Sequence, residues 1–280
     1  MYKIVRKEEL NSAVNLYEVE APFIARKAQP GQFIILTLAN DGERVPFTIA
    51  GYDREKGTVT IIVQTIGATT KKMSMLKEGD YFENFVGPLG KPTEMEGLKK
   101  VCVVGGGVGN AIAYPIAKAL HDQGTIVHTV VGFRNKDIII LEKEFGECSD
   151  ELVIMTDDGS YGQTGVVTVG LQQLLDAGNK YDEVITIGPM IMMKFVAKLT
   201  KEYGVKTVAS MAPIMIDGTG MCGGCRVTVG GETKFACVDG PDFDAWEIDY
   251  DEAMERGRMY GEWERHAYDE ACNLFKQEVK

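Results

Sequence analysis

The chain has 280 residues, a length typical of two domains of about 150 residues each. Lys and Arg number 30 against 41 Asp and Glu, which gives a formal net charge of −11. Because the chain lacks the basic surface that binding to a phosphate backbone requires, we expect no nucleic-acid partner. Residues 241–280 hold 12 acidic and 5 basic side chains, so −7 of the −11 lies in an acidic tail.

The N-terminal sequence MYKIVRKEEL has neither the apolar region nor the small-residue cleavage site of a secretory signal. The longest uncharged stretch, residues 101–117, is interrupted by four glycines and Pro115. We therefore expect a cytoplasmic protein that does not enter a membrane. Cys222, Cys225 and Cys237 lie close together among the six cysteines, which favours a metal site over disulfides in a chain of this size.

Residues 1–96 are predicted to form an antiparallel β-barrel with one short helix at residues 69–76. The predicted strands are NLYEVEA, QFIILTLA, PFTIAGYD, TVTIIVQTIG and YFENFVGPLG. Residues 97–212 alternate between apolar β-branched runs and helical patterns, which predicts an α/β domain with a parallel sheet covered on both faces.

After residue 212 the alternation ends. Residues 213–245 are predicted to be a metal-binding segment that contains a hairpin, RVTVGGETKFACV. Residues 246–280 are predicted to be an acidic tail that docks a partner.

The first candidate site lies at Arg44-Val45-Pro46-Phe47-Thr48-Ile49 in the predicted barrel. The planar guanidinium of Arg44 suits a pyrophosphate, an aromatic side chain can lie against a flat ring, and the Thr48 hydroxyl can donate to a ring nitrogen. Gly67-Ala68-Thr69-Thr70 opens a predicted helix whose N-terminus favours phosphate. Together they predict a dinucleotide clamp, although an exposed arginine on a strand would also explain Arg44.

A second candidate site is the loop Gly105-Gly106-Gly107-Val108-Gly109, between a predicted strand and helix. Such glycines let the backbone approach a pyrophosphate. The loop departs from a complete G-x-G-x-x-G because Asn110 stands three residues after Gly107, and a tight turn is the alternative. Residues 156–160 and 188–190 follow other predicted strands, at the edge where open α/β sheets bind ligands. Either segment could instead be a plain turn between a strand and a helix.

The third candidate site has the spacing D-x4-C-x2-C-x11-C, formed by Asp217, Cys222, Cys225 and Cys237. It matches the plant-type C-x4-C-x2-C spacing of a [2Fe-2S] cluster, with Asp in the first thiolate position. Zinc is the alternative, but zinc sites normally pair two C-x2-C units and this sequence has one. The spacing therefore favours a cluster. Asp217 itself could also be an ordinary acid in a glycine-rich turn.

The order of these motifs resembles the ferredoxin-reductase-like electron-transfer subunits, whose general relative is the electron-transfer subunit of dihydroorotate dehydrogenase. The resemblance covers nearly the whole chain, from R-V-P-F-T-I through G-G-G-V-G and G-F-R-N-K-D to the cysteine loop. Within that group, D-G-T-G-M-C-G-G-C and the acidic extension resemble the small subunits of NADH-dependent ferredoxin:NADP oxidoreductases. The dihydroorotate branch would have Cys in place of Asp217.

The resemblance implies FAD in the barrel, with Thr48 as the catalytic candidate beside the isoalloxazine. The implied FAD contacts are Arg44, Pro46, Phe47, Thr48, Ile49, Val63, Gln64, Thr65, Gly67, Thr69 and Thr70. It also implies NAD(H) on the α/β domain. The implied NAD(H) contacts are Gly105, Gly106, Gly107, Val108, Gly109, Arg134, Asp157, Gly188, Pro189 and Met190.

On this resemblance we expect an oxidoreductase that passes hydride between NAD(H) and FAD and single electrons through the [2Fe-2S] cluster. The expected partner is a larger iron-sulfur flavoprotein subunit in a heterodimer that performs electron bifurcation, with ferredoxin as an indirect partner. Three alternatives stay open: a dihydroorotate dehydrogenase electron-transfer subunit, a stand-alone NAD(P)H reductase, and a zinc-stapled nucleotide-binding module.

Overall fold

The computed structural model describes residues 1–278. Its first part is built from antiparallel strands that form one five-stranded sheet, in the order β5-β6-β2-β1-β7, and one three-stranded sheet, β4-β3-β8. The elements are β1 (Tyr2–Asn11), β2 (Val14–Glu20), α1 (Pro22–Lys27), β3 (Phe33–Thr37), β4 (Val45–Thr48), β5 (Gly51–Asp53), β6 (Thr58–Gln64), α2 (Ala68–Met75), β7 (Tyr81–Phe82) and β8 (Asn84–Leu89).

The two sheets enclose a common apolar core because alternate residues of their strands point inward. Tyr17 of β2 and Ile34 and Leu36 of β3 are among the fully buried side chains of this core. The opposite face of β3 carries Phe33 and Ile35, which pack instead against the C-terminal part of the chain. Strand β3 therefore lies between the barrel core and the cysteine-bearing segment.

The second part is a parallel sheet with helices on its faces. Its elements are β9 (Lys100–Gly106), α3 (Asn110–Asp122), β10 (Ile126–Phe133), α4 (Glu142–Glu147), β11 (Glu151–Thr156), β12 (Gln163–Thr164), α5 (Val167–Asp176), β13 (Glu183–Ile187), α6 (Met190–Tyr203) and β14 (Thr207–Ser210). Strands β9 and β13 are buried along almost their whole length, as the continuous apolar runs predicted.

The last part comprises β15 (Arg226–Val229), β16 (Glu232–Phe235), β17 (Asp242–Asp244), α7 (Tyr250–Gly257) and α8 (Gly261–Glu278). Strands β15 and β16 form the predicted hairpin. Strand β17 pairs antiparallel with β14 and completes a seven-stranded sheet in the order β12-β11-β10-β9-β13-β14-β17. The end of the predicted metal-binding segment is thus attached to the edge of the α/β sheet.

Three features of the fold differ from the sequence-based expectation, the first being a second helix, α1, in the barrel. Strand β1 was not predicted, because its charged residues obscure an alternation in which only Ile4 is fully buried. Helix α8 turns back to pack against α2 of the barrel, whereas the sequence predicted an acidic tail that docks a partner. In the part of the chain that the structure describes, no helix is long and apolar enough to cross a membrane.

Candidate functional site: a cysteine loop beside two nucleotide sites

The four candidate cluster ligands lie in two pairs. The Sγ of Cys225 is 3.2 Å from the Sγ of Cys237, and both side chains are buried. The Sγ of Cys222 is 3.2 Å from Oδ1 of Asp217, and Cys222 is exposed. The sequence placed all four residues at one site, and the structure joins them as these two contacts.

The pairing fits a two-iron cluster better than a single zinc ion. Two thiolates on one tetrahedral metal lie about 3.8 Å apart if each metal–sulfur bond is about 2.3 Å, and a thiolate and a carboxylate oxygen lie about 3.6 Å apart if the metal–oxygen bond is about 2.1 Å. Each pair is therefore close enough to share one metal. Over residues 1–278, however, no three His, Cys, Asp or Glu side chains come together in a way that could hold one metal ion. A [2Fe-2S] cluster takes two protein ligands on each iron, and the two pairs of side chains fit that requirement.

The acid of the first pair is already ionised at neutral pH. Burial alone would raise the pKa of Asp217, but hydrogen bonds from Cys222, Thr219 and the Met221 amide lower it to about 2. The same bonds fold the loop around its own carboxylate, as an ordinary turn acid does. In the second pair, burial and the neighbouring Cys225 thiol raise the pKa of Cys237 to about 12, so binding a metal there displaces a proton.

Three of the candidate flavin residues line a cleft between the barrel and the rest of the chain. Pro46, Phe47 and Thr48 form one side, and residues 210–213 with Met215 form another. Ile112, from the first turn of α3, also borders the cleft. The cleft has apolar walls and the hydroxyls of Thr48 and Ser210, and its volume of about 50 Å³ holds only one edge of a flat ring.

The candidate flavin phosphate residues are engaged in contacts within the protein. The Nε of Arg44 donates to the carbonyl oxygen of Ile216 at 2.6 Å. The Thr69 hydroxyl donates to Glu43 at 2.5 Å. The Thr70 hydroxyl accepts from the Gly67 amide at 2.9 Å and caps α2. Thr69 and the N-terminus of α2 lie at the surface of the barrel. A phosphate bound there would compete with the Glu43 carboxylate for the Thr69 hydroxyl.

The glycines of the loop after β9 have different roles. A Cβ on Gly105 would lie 2.0 Å from Oδ1 of Asn110, and one on Gly109 would lie 2.7 Å from the Ile187 carbonyl oxygen. These glycines are required by close packing inside the protein. Gly107 has φ +57° and open space around its Cβ position, so its backbone is the part of the loop accessible to a ligand.

The other candidate NAD(H) residues lie at the same edge of the sheet. Gly188 approaches the loop so closely that a Cβ added to Gly188 would lie 3.1 Å from the Gly106 amide nitrogen. Arg134 and Asp157 are exposed just after β10 and β11, and the Asp157 amide donates to the Phe133 carbonyl. The 3-10 turn at residues 107–109 also contacts β6, which places this edge next to the candidate flavin site.

Comparison with known proteins identifies the family. Residues 212–249 match the domain described as the iron-sulfur cluster binding domain of dihydroorotate dehydrogenase B. A homolog of the electron transfer subunit of that enzyme from Thermotoga maritima is 46% identical over 267 residues, 95% of this chain and 94% of the relative. The electron transfer subunit of Streptococcus pneumoniae serotype 4 is 32% identical over 249 residues, 86% of this chain and 97% of the relative.

This chain belongs to the dihydroorotate dehydrogenase B electron transfer subunit family. A solved chain of similar structure, from work on flavin-based electron bifurcation by the NADH-dependent reduced ferredoxin-NADP oxidoreductase, is 45% identical with a TM-score of 0.91. The match covers 96% of this chain and 97% of that one. These findings confirm the predicted resemblance, the fold class and the assignment to oxidoreductase subunits.

The sequence did not reveal two arginines that bind the cluster loop of this electron transfer subunit homologue. Arg226, the first residue of β15, donates to the Gly223 carbonyl oxygen, and Arg256 of α7 donates to the Gly224 carbonyl oxygen. The position of Arg226 directly after Cys225 was a weak indication that it contacts the loop. Arg256 lies in an acidic helix, 32 residues from Gly224, and nothing in the sequence indicated its contact.

Proposed function

We propose that this chain is the small subunit of a flavin-based electron-bifurcating oxidoreductase and links NAD(H) to a larger iron-sulfur flavoprotein subunit in a heterodimer. The predicted electron-transfer role and the cofactors FAD, NAD(H) and an iron-sulfur cluster are confirmed by the comparisons. That a larger partner subunit exists follows from the family. Ferredoxin as the distant partner, and NAD(H) over NADP(H) at this chain, belong to the proposal.

The chain's own residues would serve the bound cofactors as follows. When bound, FAD takes hydride from NAD(H) and exchanges single electrons with the cluster. Thr48 would orient the flavin ring through its hydroxyl, while Phe47 and Met215 form apolar walls of the cleft that exclude water. The exposed backbone at Gly107 would receive the dinucleotide phosphates.

The cluster segment would carry electrons out of the flavin cleft. Met215 lines the cleft, and Asp217 begins the cluster loop two residues later. Asp217 and Cys222 would bind one iron, and Cys225 and Cys237 the other, as their two contacts indicate. Cys222 is exposed, and electrons would pass to the partner subunit beside its sulfur.

One observation favours the bifurcating enzyme over a dihydroorotate dehydrogenase subunit. Asp217 occupies the first ligand position, where the dihydroorotate branch would have Cys, and its carboxylate lies within contact of Cys222. The 45% identity over almost the full length of the solved bifurcating-enzyme chain supports the same choice. Reconstitution tests it: the chain should form a stable complex and show NADH-linked turnover with a larger iron-sulfur flavoprotein, and not with a dihydroorotate dehydrogenase catalytic subunit.

The first experiment is the visible spectrum of anaerobically purified protein, with iron, acid-labile sulfide, zinc and flavin measured on the same sample. We expect one FAD, two irons and two sulfides per chain. Cys225→Ser should abolish the cluster signal and leave flavin bound, whereas Cys148→Ser, at a buried cysteine outside the loop, should change neither. Zinc without flavin would refute the proposal and leave a metal-stapled nucleotide-binding module.

A further inference from the structure

The loop between Cys222 and Cys225 consists of two glycines whose carbonyl groups are both bound by arginine. Arg226 donates to the Gly223 oxygen at 3.1 Å, and Arg256 donates to the Gly224 oxygen at 3.2 Å. The two side chains come from different elements, β15 and α7, and converge on successive peptides of one loop. A guanidinium is always charged and has several donors in a fixed plane, which suits it to hold a carbonyl in one direction.

Each bound carbonyl fixes the amide on the other side of the same peptide. Because the peptide group is planar and trans, its C=O and N–H point in opposite directions. The amide opposite the Gly223 oxygen belongs to Gly224, and it donates to the Sγ of Cys222 at 3.4 Å. The amide opposite the Gly224 oxygen belongs to Cys225. In the Gly223–Gly224 peptide, Arg226 and the Cys222 sulfur therefore lie on opposite sides.

These peptides need an external constraint. Gly223 has φ +66° and Gly224 has no side chain, so a peptide between them can rotate at little steric cost. The loop borders a cavity of about 320 Å³, lined by Cys222, Gly224, both arginines, Met259 and Tyr260. Since packing does not fill this space, the two guanidiniums are the groups that hold the peptides.

We propose that Arg226 and Arg256 are positioning residues that hold the Gly223 and Gly224 peptides, the first with its amide toward the Cys222 sulfur, and thereby raise the reduction potential of the cluster. Reduction adds one electron, and the added negative charge spreads onto those sulfurs. Amide dipoles and nearby cations stabilise the reduced form more than the oxidised form. The proposal rests on the ligand set given under the proposed function.

The test is an EPR-monitored redox titration of the full chain with its cofactors, for the unaltered protein and for Arg226→Gln, Arg256→Gln and the double variant. Arg258→Gln is the control, because Arg258 caps the same helix and loses the same charge while, within residues 1–278, its side chain donates to no carbonyl of the loop. We expect each Gln variant to lower the ratio of reduced to oxidised cluster about tenfold at a fixed ambient potential, equivalent to about 59 mV for a one-electron couple. Potentials equal to that of Arg258→Gln would overturn the proposal.

Iron and sulfide are measured on every sample. If the unaltered protein holds no [2Fe-2S] cluster, the ligand assignment fails; if it holds one and the variants keep its potential, only the role of the arginines fails. If the Gln variants lose the cluster, the same titration of Arg226→Lys and Arg256→Lys tests the role of the arginines. Lysine keeps the positive charge but lacks the planar guanidinium. We then expect a smaller fall in the same direction, and an unchanged potential would again overturn the proposal.

Discussion

The Nε of Arg44 donates to the carbonyl oxygen of Ile216 at 2.6 Å, across 172 residues of sequence. Arg44 directly precedes β4, which carries the candidate flavin residues, and Ile216 directly precedes the candidate ligand Asp217. A second nitrogen of the same guanidinium lies 3.5 Å from the Asp217 carbonyl oxygen. One side chain thus connects the flavin site to the cluster loop, and we expect the occupancy of the two sites to be linked.

Replacement of Arg44 by Ala should weaken both sites. Loss of a charged hydrogen bond at a half-buried position costs on the order of 1 kcal/mol, so FAD should dissociate several-fold faster. A chelator should also remove iron faster, because the loop loses its anchor on the barrel. Both rates are followed by absorbance, with the exposed Arg26→Ala as the control. If FAD release accelerates while iron loss does not, Arg44 serves the flavin alone.

Replacement of Asp217 by Cys should keep the cluster and change its EPR g-values. A thiolate is a softer ligand than a carboxylate, so the electron distribution between the two irons should shift. Asp217→Asn should instead lower the iron content, because the amide is neutral and binds iron weakly. A cluster whose g-values and content are unaffected by both substitutions would show that Asp217 only closes its own turn through Thr219 and Met221.

Replacement of Gly109 by Ala should damage the NAD(H) site. The new Cβ would lie 2.7 Å from the Ile187 carbonyl oxygen and 2.8 Å from the Gly188 Cα. Backbone at this distance cannot move aside without separating the two loops, so we expect destabilisation of about 1–3 kcal/mol and a higher KM for NADH. Gly146→Ala in α4, where nothing lies within 4 Å, should stabilise slightly. Thermal unfolding and steady-state kinetics measure both, and an unchanged KM in Gly109→Ala would contradict the role of the loop.

The sequence was sufficient to predict features that depend on local patterns. Continuous apolar runs predicted the parallel strands β9 and β13, and the Gly-Gly pair at residues 230–231 predicted the β15–β16 hairpin. The spacing of Asp217, Cys222 and Cys225 predicted one loop, and Cys237 follows the hairpin. Each of these inferences uses residues that are neighbours in the chain, where periodicity and turn chemistry act directly.

The remaining features depend on contacts between distant residues. The bonds from Arg44 and Arg256 to loop carbonyls span 172 and 32 residues, and a side chain that binds a backbone oxygen leaves no pattern in the sequence, since every residue has such an oxygen. The pairing of β17 with β14 is hidden for the same reason: a three-residue edge strand is too short to show alternation.

Replacement of Thr48 by Val should slow reduction of the bound flavin by NADH by about 10- to 100-fold, because a valine fits the strand and cannot donate to the ring. Thr48→Ser, which keeps the hydroxyl, should restore most of the rate. Thr60→Val on β6 is the control, since Thr60 does not line the cleft. Stopped-flow absorbance measures the rates. Equal rates for Thr48→Val and Thr60→Val would place the reacting ring away from Thr48.

His128, a buried histidine of the α/β sheet, predicts a pH dependence of stability. His128 lies in β10, where its Nδ1 is 2.9 Å from the Tyr181 hydroxyl and 3.3 Å from Glu151, and it pairs in register with Cys102 of β9. Burial, followed by the charge of Lys100, lowers the pKa of His128, while Glu151 and Asp150 act in the opposite direction. The folded protein therefore resists protonation of this histidine more than the unfolded chain does.

The sign of the effect follows from that difference. A histidine whose pKa is lowered by folding contributes its full stability above the unfolded value of about 6.5, and this contribution is lost as the pH falls below it. The thermal unfolding temperature of the unaltered protein, measured by calorimetry, should decrease as the pH is lowered from about 7.5 to about 5.5, one unit on either side of that pKa. The unfolding temperature of His128→Gln should decrease less over the same pH interval. The unfolding temperature of His121→Gln, a variant of an exposed histidine, should decrease as much as that of the unaltered protein. Parallel curves for all three proteins would show that the buried histidine does not titrate in this range.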